Sequence, residues 1–76
     1  MSIAKSSEWN EHDSRHLSRS KYNSMDHTMD VEFENGSVYR YHGVPPREYE
    51  AFRSASSQGD YHAQNIKSNY AVKKLS

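Results

Sequence analysis

Seventy-six residues with no cysteine, and ten basic side chains balanced by ten acidic ones, set narrow bounds. A chain this short is one small domain at most, has no disulfide or thiolate metal site, and by its neutral balance is poorly suited to be a dedicated duplex-DNA binder. Leu, Ile, Val and Phe number only ten, so six Tyr, three Met and one Trp must supplement a thin core in which tyrosine hydroxyls reach water or a partner.

Residues 1–17 are rich in Ser, Glu, Asp and His, with Trp9 as the one large aromatic group, and read as a flexible or weakly helical N-terminal extension. In a helix, Glu8, His12 and His16 share one face by their four-residue spacing. The trio lacks a second pair of ligands, so a solvated polar face is the preferred reading, and no metal or cofactor is expected. No apolar run is long enough for a signal-peptide core or a membrane span, and a soluble cytoplasmic protein is expected.

Leu17 to Asn23 alternates in the manner of a first strand, and Asn23-Ser24-Met25-Asp26 supplies turn chemistry. Met29, Val31 and Phe33 then line one face of a second strand, with Asp30, Glu32 and Glu34 on the other. Asn35-Gly36 between two alternating runs is a strong hairpin signal. A tight two-residue turn pairs Val31 with Arg40 and sets a charge among apolar groups. A bulged turn with Gly36 in the left-handed region instead places Val31 opposite Tyr39, Met29 opposite Tyr41 and Asp30 opposite Arg40. A slip of one residue exchanges every face, and the bulged register is preferred because it satisfies both.

Gly43-Val44-Pro45-Pro46 stops the strand and starts a helix, since proline suits the first helical position and Glu48 and Glu50 suit the dipole. Tyr49, Phe52 and Ala55 follow helical spacing and predict an amphipathic helix over 46–56, with Val44 stapled to its first turn. Gly59 fits a left-handed cap, and Asp60 can cap a second helix over 61–68 that turns Ala63 and Ile66 inward. The expected fold is therefore α+β: a small three-stranded antiparallel sheet, built on the hairpin 28–42 and packed by the two short helices. Residues 71–76, with Lys73 and Lys74, read as a basic C-terminal tail.

An ordered set of residues resembles the KTSC domain, a module found at the C-terminus of some bacterial lysyl-tRNA synthetases and also alone. The set runs from Tyr22 through Val31-Glu32-Phe33, Asn35-Gly36, Tyr39-Arg40-Tyr41, Gly43-Val44-Pro45-Pro46 and Tyr49. It closes on Gly59-Asp60-Tyr61 and Ile66-Lys67-Ser68-Asn69-Tyr70, so that residues 18–70 form the KTSC-like domain. The resemblance implies a hairpin-rich α+β fold and RNA binding. Members often carry Ile-Arg-Gly-Arg-Tyr where this chain has Ile66-Lys67-Ser68-Asn69-Tyr70, which removes two guanidinium forks and leaves one ammonium.

RNA needs cations for phosphates and aromatic faces for unpaired bases. The expected contacts are Arg40, His42, Arg47 and Lys67, with Tyr39 and Tyr41 facing the core and supporting the hairpin. Arg40→Ala is then expected to spare the fold. The acidic second strand works against phosphate binding. No cysteine nucleophile, Gly-rich phosphate loop or paired-His metal motif is present, so no enzymatic activity is expected. The alternative is an accessory or inhibitory factor of the kind phages carry, engaging a protein partner through the sheet edge and the N-terminal arm.

Overall fold

The computed structural model describes residues 9–11 and 16–76. Five antiparallel strands form one sheet in strict sequence order: β1 (Asn10–Glu11), β2 (Leu17–Asn23), β3 (Thr28–Phe33), β4 (Val38–His42) and β5 (Ala71–Lys74). Between β4 and β5 run α1 (Pro46–Ser54) and α2 (Gln58–Tyr61), the latter continuing as a π-helical turn over His62–Ile66. The α+β architecture is as expected, and β2, β3 and β4 are the three expected strands. The two additional strands are the short edges. Residues 71–74, read as tail, pair with β4 instead, matching Lys74 to Tyr39, Lys73 to Arg40 and Val72 to Tyr41.

The central hairpin adopts the bulged register. Met29 lies opposite Tyr41, Asp30 opposite Arg40 and Val31 opposite Tyr39. Gly36 sits at φ +91, and the Phe33 N–H donates to the Ser37 carbonyl at 2.8 Å while the Asn35 side chain accepts from the Ser37 N–H. A Cβ at Gly36 would meet nothing within 4 Å, so its requirement is purely conformational. The turn before β3 is held by Asn23, whose side-chain oxygen accepts from the Met25 and Asp26 N–H groups.

Both helices lie on one face of the sheet, here the inner face. Leu17, Met29, Val31 and Tyr41 from the strands bury against Val44, Tyr49, Phe52 and Ile66. Tyr22 stacks on Tyr49 at 5.1 Å between centroids and donates its hydroxyl to the Val44 carbonyl. Glu48, in the first turn of α1, accepts from the hydroxyls of Tyr61 and Tyr70 at 2.6 and 2.9 Å, tying the start of α1 to α2 and to the approach to β5.

The second helix departs from expectation. It starts at Gln58 because Ser57, not Asp60, is the N-cap and accepts from the Asp60 N–H. Gly59 is accordingly an interior helical residue rather than a left-handed cap, and α1 ends at Ser54 where Ala55 turns extended. The Lys67 N–H reaches the His62 carbonyl at 2.8 Å, a five-residue step that puts an extra residue into the turn while His62 and Ile66 both stay buried.

Candidate functional site

Among the described residues, the outer face of the sheet carries no helix. Strand alternation places Lys21, Asp30, Arg40 and Lys73 in one row across β2 to β5. Asp30 is 4% exposed and holds Arg40 in a bidentate fork, Nε to Oδ1 at 2.8 Å and the second nitrogen to Oδ2 at 2.9 Å. The hydrogen bond and the charge of Asp30 raise the Arg40 pKa above its ordinary value. In the next row Arg19 pairs with Glu32. Asp30 and Glu32 are thus each matched by a guanidinium group, and Lys21 and Lys73 stand at the two ends of the first row. Trp9 lies over this surface, its ring centre 4.3 Å from the Arg19 guanidinium carbon and 4.7 Å from the Lys21 ammonium. A recess of about 340 Å³ opens beside the row, bordered by Lys21, Met25, Thr28, Asp30 and Arg40.

On the inner side, a cleft of about 550 Å³ runs between the β3–β4–β5 end of the sheet and the π-helical turn. Phe33, Tyr39, Tyr41, His62, Lys67 and Val72 border it. The rings form an edge-to-face cluster: Phe33 meets Tyr39 at 5.5 Å and His62 at 5.3 Å, and Tyr41 meets His62 at 5.4 Å. The Tyr41 hydroxyl and His62 Nε2 share a hydrogen bond of 2.7 Å. Burial, and secondarily the charge of Lys67, push the His62 pKa down to about 4, so the imidazole is neutral at physiological pH. Burial also raises the Tyr41 pKa and keeps its proton in place. The bond is therefore between two neutral groups, and Lys67 brings an ammonium to this cleft.

The expected contact residues fall on two sides of the sheet. Arg40 and His42 occupy the outer face; Tyr39 and Tyr41 point inward, where Lys67 joins them at the cleft. Arg47 is exposed on the first turn of α1, on the helical side, and does not border the cleft. Arg40 is also structural, since removing it leaves the buried Asp30 carboxylate without its fork. On this geometry Arg40→Ala is expected to cost stability as well as a surface cation. Of the residues not foreseen, Lys21 was recoverable from its alternation with Arg19 and its place opposite Asp30. Lys73 was not, because no strand was assigned there. His62 carried a weak signal, its four-residue spacing from Ile66. The Glu8–His12–His16 spacing lies mostly outside the described residues.

No described helix is long and apolar enough to cross a membrane. The KTSC domain model matches residues 13–70, which include the hairpin and both helices and stop just before β5. Lysine–tRNA ligases of Nostoc punctiforme and Trichormus variabilis are 36% and 38% identical to the chain over 55 and 56 residues. These matches cover 72% and 74% of the chain, which spans only about 10% of each ligase. The crystal structure of a KTSC domain protein from Yersinia pestis is similar with a TM-score of 0.84 at 28% identity, over 90% of this chain and 96% of that one. Sequence and architecture agree over the same hairpin and helices, and the chain belongs to the KTSC domain family.

Proposed function

We propose that the protein is a non-catalytic module that binds RNA weakly through the outer face of its sheet, following backbone shape and charge rather than base sequence. The observation that carries this reading is the Lys21–Asp30–Arg40–Lys73 row, in which Arg40 neutralises the acid that would repel phosphate and Lys73 adds a cation on the exposed strand β5. His42 extends the polar surface, and the half-buried Trp9 ring beside Arg19 supplies an aromatic group for an unpaired base. The matched segment's place in ligases named for lysine and tRNA supports tRNA as the first probe.

The test is fluorescence anisotropy of labelled tRNA, single-stranded RNA and duplex DNA over a salt series. Binding of RNA with a log–log salt slope of roughly −2 to −3 is expected, and Lys21→Ala and Lys73→Ala should each reduce that slope by about 1. Trp9 is the one tryptophan, so its emission should change on binding. No binding at low salt overturns the reading. The exposed strand β5 favours a second one: it is an edge strand, and a protein partner could extend the sheet there by adding a strand.

A further inference from the structure

The inner cleft lies across the sheet from the proposed RNA face and has a different chemistry. Among the described residues its lining includes no carboxylate, although the chain as a whole carries as many acids as bases. Its cation, Lys67, has no ion-pair partner among the described residues, and its field reaches His62. Lys74 follows two residues after Val72, on the same side of β5, and is paired in register with Tyr39. Phe33 and Tyr39 are only half-buried, so ring surface is available to a ligand rather than used up by the core. Asn35 and Ser37 add an amide and a hydroxyl at the rim. The volume is within the range of small-ligand sites, which are mostly apolar with a few placed polar groups.

These features select a planar ring bearing a negative group. An aromatic amino acid is disfavoured, because its own ammonium would be repelled by Lys67. We propose that the cleft binds a nucleoside monophosphate unit, with the base against Phe33 and Tyr39 and the phosphate on Lys67. Asn35 and Ser37 are placed to meet ribose hydroxyls or a base edge. The neutral Tyr41–His62 pair supports the rings and brings no competing charge. The unit is either a free nucleotide or the unpaired end of an RNA, since both present the same chemistry. This site does not depend on the outer-face reading, and either can fail alone.

The experiment is a titration of the ¹⁵N-labelled full chain with AMP, GMP, CMP and UMP, followed by ¹H–¹⁵N correlation spectra. At least one nucleotide should saturate below roughly 1 mM, moving the amides of Gly59, Ala63, Lys67 and Val72 while those of Arg19 and Arg40 stay in place. Lys67→Gln, at an exposed position, should weaken binding roughly tenfold, the scale of one charge-assisted hydrogen bond. Adenosine, lacking the phosphate, should bind the unaltered protein more weakly than AMP by a similar factor. Phe33→Leu should weaken binding by removing a ring at little change in apolar character. Lys21→Ala and Lys73→Ala should leave AMP affinity unchanged. A short RNA with an unpaired 3′ adenosine separates the two sources: shifts with it identify a chain end, and shifts with AMP alone identify a free nucleotide. The proposal is overturned if no nucleotide moves the cleft amides, if Lys67→Gln binds as well as the original protein, or if 3-phenylpropionate binds as tightly as AMP.

Discussion

Two buried polar pairs show what single residues do here. His62 has its pKa lowered to about 4 in the folded protein, against an ordinary value near 6.5, so between those values the unfolded chain binds more protons than the native one. Stability contributed by neutral His62 is therefore fully present above pH 6.5 and is lost as pH falls toward 4, by up to roughly 3 kcal/mol. Urea denaturation across this range should show the loss, and His62→Phe should flatten it. Asp30 and Arg40 form the other pair. Arg40→Ala leaves a carboxylate that is 4% exposed without its partner, and should cost about 1–3 kcal/mol, less than for a fully buried pair because the Arg40 side chain is 40% exposed. The double variant Asp30→Asn/Arg40→Met should be more stable than the two single losses predict, measurable as a coupling energy in the same assay. Sequence reasoning reached the Asp30–Arg40 partnership from register alone. It did not reach the cost of breaking it, because burial of Asp30 depends on the turn and strand packed around it.

The elements legible in the sequence were those whose signals are local. Alternation gave β2, β3 and β4, and Asn35-Gly36 together with the need to keep Arg40 out of the core gave the bulged register. The proline pair gave the start of α1. The second helix was displaced because a serine competed with an aspartate for the cap: Ser57 hydrogen-bonds to the Asp60 N–H, and Gly59 is then drawn into the helix. The strand β5 was illegible because Ala71-Val72-Lys73-Lys74 has little alternation of its own and is exposed throughout; its pairing comes from β4. Two predictions belong to these elements. Gly36→Ala should destabilise the hairpin by about 1–2 kcal/mol in thermal unfolding, since Gly36 has φ +91 and no steric obstacle to a Cβ. Removing residues 71–76 strips the Val38–His42 strand of its outer partner, including the Leu75 N–H to Val38 carbonyl bond at 2.7 Å, and should lower stability by roughly 1–3 kcal/mol in urea.

At the scale of the molecule, the core among the described residues is one small cluster of eight buried hydrophobic residues, with five partly buried rings around it. Polar ties compensate for its size, notably the Glu48 carboxylate shared by Tyr61 and Tyr70, whose bond pushes the Tyr61 pKa up to about 12. The Trp9 segment stands apart, held by a two-residue strand and by two cations. Trp9 fluorescence should therefore change at lower denaturant than the far-ultraviolet dichroism of the sheet. The division of the expected contact residues between two sides of the sheet was not visible in the sequence, because Lys67 meets the cleft from the end of a π-helical turn that no sequence signal marked. The strand order has a further, kinetic consequence. Each strand pairs only with those next to it in sequence, so the closures from β1 to β4 join short loops and only β5 must return across the helices. Assembly should begin at the β3–β4 hairpin and spread outward, with docking of β5 as the late step. A folding rate that slows on substitution at Gly36, yet is unaffected by loss of residues 71–76, would record that sequence of events.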